Sequence, residues 1–170
     1  IIIGGLVEFG EHNVLLRLHP DGSVDESFNA GEIIIWEGDG YVVFNLALQP
    51  DGKILVQGEI SQVQGHGVGG FFRLNADGSL DQTFHPAWQT GEDLYGGVTS
   101  MLLQPDGRIV VAGWITMPDD SIAKLLRLNS DGSLDASFVP EVEGLGDCFA
   151  LARQADGKII AGGNYFRHEA

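Results

Sequence analysis

The chain has 170 residues, with 9 Lys and Arg against 24 Asp and Glu and a formal charge of −15. Most of its cations (Arg17, Arg73, Arg127, Lys53, Arg108 and Lys158) sit at positions set by an internal repeat. Few remain to build a basic patch, which argues against nucleic acid or an anionic membrane surface as partners. The apolar runs fall far short of the roughly 20 residues a membrane-spanning helix needs, and the lone Cys148 makes no intrachain disulfide.

Taken in order, the chain opens on Ile1-Ile2-Ile3-Gly4-Gly5, a strand that aligns with later strands ending in Gly58, Gly113 and Gly163. A Gly at that strand end permits close backbone approach or a bulge. Six tight turns then punctuate the apolar runs: Pro20-Asp21-Gly22, Pro50-Asp51-Gly52, Ala76-Asp77-Gly78, Pro105-Asp106-Gly107, Ser130-Asp131-Gly132 and Ala155-Asp156-Gly157. A type I turn favours Pro at its second position and Asp at its third, and Gly supplies the left-handed residue that follows. The pattern predicts a three-residue hairpin loop with a G1 bulge at each site.

The turns are of two kinds. Those that begin at Gln49, Gln104 and Gln154 pair Leu48 with Ile54, Leu103 with Ile109 and Arg153 with Ile159. Their second strands are apolar on both faces, as a strand sandwiched between two neighbouring sheets should be. The others carry Asp-Gly-Ser-Leu/Val-Asp-x-Ser/Thr-Phe over residues 21–28, 77–84 and 131–138. Counting through the loop pairs Leu74 with Leu80 and sets Arg17 opposite Asp25, Arg73 opposite Asp81 and Arg127 opposite Asp135. Opposite charges so placed stabilise a pair of strands by about 0.2–1 kcal/mol. Phe28, Phe84 and Phe138 should anchor the core.

The resulting fold class is all-β, with about three four-stranded antiparallel units of ~55 residues packed as β-propeller-type blades in a partial ring. Residues 1–28 form a partial blade, 29–84 and 85–138 one blade each, and 139–170 a second partial blade. Connectors at 29–41, 61–69, 85–97, 117–123 and 140–147 read as variable loops, and Gln64-Gly65-His66-Gly67 as a mobile one. The missing blades come from a longer chain or from copies of the same chain that close the ring.

Arg-Leu-Asn-x-Asp-Gly-Ser-Leu-Asp-x-Thr/Ser-Phe, with Leu-x-x-Gln-Pro-Asp-Gly-Lys-Ile-x-Val-x-Gly, resembles the delta-60 repeat family of β-propeller-like domains. The resemblance runs over essentially the whole chain. The first copy departs at His19-Pro20 and Val24, the third at Arg153 and Ala155. It implies a bacterial protein that is extracellular or at the cell surface, with no catalytic motif and no cofactor. The expected role is a non-enzymatic, rigid structural or protein-interaction module. Fold alone does not assign function.

Several residues invite a sharper reading. Alternate oxygens in Asp-Gly-Ser-x-Asp suit calcium, but the first Asp is accounted for by turn chemistry and the last by its Arg, so no metal site is expected. The histidines share no ligand spacing, and no carboxylate pair stands out for a hydrolase with axial acids. Cys148 begins an apolar strand and reads as a buried, inert thiol. Recognition on repeat scaffolds falls in the variable loops. There, Trp36, Trp88 and Tyr95 have acidic neighbours and are candidate ligand contacts for a glycan or a protein. Trp114, directly after Gly113, reads as structural.

Overall fold

Local turn chemistry builds most of this molecule, a computed structural model that describes residues 1–4, 15–35, 43–88, 97–142 and 144–165. At each of the six Asp-Gly turns the Gly takes a φ between 84° and 95°. Its N–H donates to the carbonyl three residues back, as Gly78 does to Asn75 at 3.0 Å and Gly107 to Gln104 at 3.0 Å. This is the geometry of a type I turn closed by a G1 bulge. The registers follow: Leu48 faces Ile54, Leu103 faces Ile109, and Arg153 faces Ile159.

Among the described residues every regular element is a β-strand, and they fall into two packing units, one through Thr83 and one from Phe84. The first holds β1 (Ile2–Gly4), β2 (Leu15–Arg17), β3 (Ile33–Ile35), β4 (Val43–Leu48), β5 (Ile54–Gly58), β6 (Ile60–Val63), β7 (His66–Gly67) and β8 (Phe71–Leu74). These form antiparallel sheets in the orders β1-β2, β4-β5-β8 and β3-β6-β7. The second unit holds β9 (Val98–Leu103), β10 (Ile109–Thr116), β11 (Ile122–Leu128), β12 (Leu145–Arg153) and β13 (Ile159–Tyr165), in sheets β9-β10-β11 and β12-β13.

The fourth strand position of the repeat contributes a single bridge: Leu18 to Val24, Leu74 to Leu80 and Leu128 to Leu134. The reason is local. One residue after each bridge the second Asp of the motif folds the chain into another turn, capped by the Ser or Thr two residues on, and the ladder cannot continue.

Four stretches expected as loops are wholly or partly ordered hairpin or strand, one of them being 140–147, where β12 already begins at Leu145. Residues 33–35 pair with 60–63, and 66–67 pair back on 62–63, so the Gln64-Gly65 segment is a tight turn with φ of 51° and 79°. The Gln64 amide braces it, donating to the Ala30 and Gly78 carbonyls at 3.0 and 3.2 Å and accepting from Leu80 N–H at 3.1 Å. Residues 117–121 form a seventh copy of the Asp-Gly turn: Met117 N–H donates to Ser121 O and Asp120 N–H to Met117 O, both at 2.9 Å. Here Asp120, at φ 64°, takes the glycine's place, which is why the motif did not reveal it.

The repeated Gly of the second strand, which lies inside β10 and β13 and not at their ends, has a steric cause. A Cβ on Gly113 would fall on the Gly97 carbonyl oxygen, and one on Gly163 on that of Asp147. In each sheet the partner strand bulges at this point, with Phe44, Thr99 or Phe149 as the extra residue.

Each unit builds the same sheet-to-sheet junction. In the first, Ile2 and Leu15 pack with Ile54, Val56, Phe72 and Leu74 of the next sheet. In the second, Val110, Ala112 and Leu125 pack with Leu151, Ile159 and Ala161. Ile2 and Val110 occupy one repeat position, and Ile54 and Ile159 another.

Candidate functional site

The repeated acidic motif divides its oxygens between two tasks. In Asp21, Asp77 and Asp131, Oδ1 accepts both the N–H and the hydroxyl of the Ser two residues on, at 2.6–3.0 Å. Asp25, Asp81 and Asp135 repeat that turn with Ser27, Thr83 and Ser137 through Oδ1. Their Oδ2 accepts the Nε–H of Arg17, Arg73 and Arg127 at 2.7–2.8 Å.

A second cation joins two of these pairs. Lys53 Nζ lies 2.7 Å from Asp81 Oδ2, and Arg108 Nε 3.3 Å from Asp135 Oδ2. Counting through one hairpin leaves this convergence invisible, because Lys53 and Arg108 come from the other hairpin of the same sheet. A repeated cation at that position was the available signal. The middle cluster is the most enclosed, with side-chain exposures of 7% for Arg73 and 5% for Asp81 against 25% and 15% for Arg17 and Asp25. Arg17 and Arg127 also lie over the Phe28 and Phe138 rings, at 5.0 and 4.7 Å.

The electrostatics follow the bonds. Asp25 and Asp135 are pulled down to about 2, first by the Ser27 and Ser137 hydroxyls, with their Arg partners adding to the effect. Burial opposes ionisation of Asp81, but the bonds from Lys53, Thr83 and Arg73 outweigh it and hold its carboxyl far below the ordinary range. Carboxylates so committed have little left for a cation or a substrate. Among the described residues no group of His, Cys, Asp and Glu is arranged to hold a metal ion. Cys148 is buried, and burial raises its thiol above the usual range.

The aromatic candidates sort differently from their sequence context. Trp36 and Tyr95 lie outside the described residues. Trp88 is buried at 9% exposure, so its ring presents no face for stacking, and its acidic sequence neighbours were a misleading guide. Trp114, read as structural, is 44% exposed. The ladder between β10 and β11 shifts register between Ala112 and Ile115, and the extra residue turns the indole out of the sheet while Ile115 returns to the core.

Trp114 sits in a cluster drawn from four strands of the second unit, β10 to β13. Its Nε1–H donates to Asp147 Oδ1. Asn164 Nδ2 reaches Asp147 Oδ2 at a long 3.5 Å. The Lys124 ammonium lies over the indole ring, shut away from solvent and with no hydrogen-bond partner. Burial lowers its pKa, and the Asp147 carboxylate opposes that shift.

Small antiparallel sheets, a repeat of about 55 residues and a sheet junction built twice from equivalent positions define a β-propeller-type repeat protein. The family model described as "Domain of unknown function (DUF5122) beta-propeller" matches residues 1–28, 49–84 and 104–138, more than half of the chain, and the chain belongs to that family. No curated protein and no solved structure matches it.

Proposed function

We propose that this β-propeller domain is of the delta-60 type and works as a non-enzymatic, rigid module for structure and protein interaction, extracellular or on a bacterial cell surface. The repeat's acids support the first half of that reading, since turn and Arg bonds occupy both oxygens of the second Asp in every copy.

The observation that supports an interaction role is the outer face of β13. Ile160 is 52% exposed, whereas Leu55 and Val110, at the same repeat position, are 0% exposed. Ala150 and Ala152, on the neighbouring strand, are exposed with it. Leaving such a face in water forfeits about 25 cal/mol per Å² of apolar surface. Its natural partner is another sheet of the same repeat, from further blades or from a second copy of the chain.

Light scattering coupled to gel filtration tests this. Association that rises with concentration and is lost in Ile160→Asp supports docking through this face. A monomer at every concentration, unchanged by Ile160→Asp, overturns it. The alternative is a glycan-binding propeller. It loses Trp88 to burial, and the half-exposed Trp114 is what favours it.

A further inference from the structure

We propose that Trp114, Asp147 and Asn164 form a binding site for a neutral pyranose unit of a glycan. The inference rests on the glycan-binding alternative and moves it from the connector loops to the strands.

None of the three residues serves the repeat. Trp114 and Asn164 each follow the repeated glycine, where the first unit has Glu59, and Asp147 stands where β9 is preceded by Gly97. The repeat requires no tryptophan, carboxylate or amide there. The position projects outward because of the bulge beside Gly113 and Gly163, so neighbouring sheets present their variable residues side by side.

The chemistry fits a saturated, polyhydroxylated ring. The Lys124 ammonium is sealed from solvent against the indole, so the ring's exposure comes from its other face. That face suits the C–H side of a pyranose, as an apolar body with polar neighbours does in most small-ligand sites. The Asp147 carboxylate holds the indole N–H with one oxygen and takes only a 3.5 Å contact on the other, which leaves it able to accept hydroxyl donors. The Asn164 amide, also exposed, offers both donors and an acceptor.

A cationic ligand such as a quaternary ammonium would also seek an indole beside a carboxylate. The buried Lys124 charge on the opposite ring face repels it. A neutral ring meets no such penalty.

The test is titration of the ¹⁵N-labelled chain with methyl glucopyranoside, methyl mannopyranoside, methyl galactopyranoside and, separately, choline. The Trp114 indole resonance is identified by its loss in Trp114→Phe. At least one glycoside should shift it saturably, with a dissociation constant in the millimolar range that weakens about tenfold or more in Trp114→Ala. Asn164→Ala removes an exposed side chain from the rim without touching the core, and should weaken binding by about threefold or more.

A glycoside that binds while leaving this resonance unmoved overturns the site but not the glycan reading. Silence from all three glycosides, tighter binding of choline, or unaltered affinity in Asn164→Ala overturns the proposal. None of these outcomes bears on the sheet-face module, which light scattering reads separately.

Discussion

Replacing Asp81 with Ala is the sharpest probe of how the repeat holds together, because the same motif occurs in a more open setting within the same packing unit. The substitution removes the acceptor for Thr83 N–H and Oγ1–H at 3.0 and 2.6 Å, for Arg73 Nε–H at 2.7 Å and for Lys53 Nζ at 2.7 Å. It also leaves the Arg73 guanidinium, at 7% exposure, without its carboxylate. Removing one member of an enclosed ion pair costs about 3–5 kcal/mol, mostly from the stranded charge.

Asp25→Ala deletes the Ser27 and Arg17 bonds, but Arg17 is 25% exposed and water replaces the lost carboxylate. Its cost should be less than half as large. Urea titration at neutral pH, followed by circular dichroism, reads both variants in the unfolding of the same unit, with unchanged slope and lowered midpoint. Replacing the pair together, as Arg73→Met with Asp81→Leu, should recover part of the loss, since no buried guanidinium then remains. Equal losses for Asp81→Ala and Asp25→Ala would refute the claim that enclosure, rather than the motif itself, sets the energy.

Two further outcomes are expected. Asp25 and Asp135 have folded pKa values near 2, below the 3.8 of the unfolded group; their contribution is therefore full above pH 3.8 and is lost as pH falls towards about 2. Urea midpoints measured down that range should drop for the wild type and drop less steeply for Asp25→Asn with Asp135→Asn; parallel curves would contradict the assignment. Gly113→Ala drives a Cβ onto the Gly97 carbonyl and should cost about 3 kcal/mol or more. Gly22→Ala, at φ +89° with nothing within 4 Å, should cost only the left-handed strain of roughly 1–2 kcal/mol, and thermal unfolding distinguishes the two.

Much of the fold was legible because it is local. A three-residue loop fixes which residues face each other by counting alone, so the pairings of Leu48 with Ile54 and Leu74 with Leu80 follow from the sequence. The repeated Gly was recognisable as a close-approach position, though the carbonyl it makes room for was not. The turn at 117–121 escaped because Asp120 adopts the left-handed conformation usually left to Gly.

The candidate site was far less legible. Sequence context selected Trp88 by its acidic neighbours, yet burial depends on what folds over a residue, not on what precedes it. Trp114 was hidden by a one-residue shift in the ladder, which reverses the face a side chain occupies. Asp147 and Asn164 reach it from other strands, and no spacing in the chain announces that meeting.

By itself, then, the sequence determined the all-β class, the hairpin registers and the chemistry of each turn, since all depend on residues within a few positions of one another. Tertiary structure alone decided that Lys53 and Arg108 reinforce pairs formed by another hairpin, that Ile160 is uncovered where Val110 is sealed, and that an indole, a carboxylate and an amide share one surface. Those outcomes depend on sheet packing, which brings together residues whose separation along the chain carries no signal of their contact.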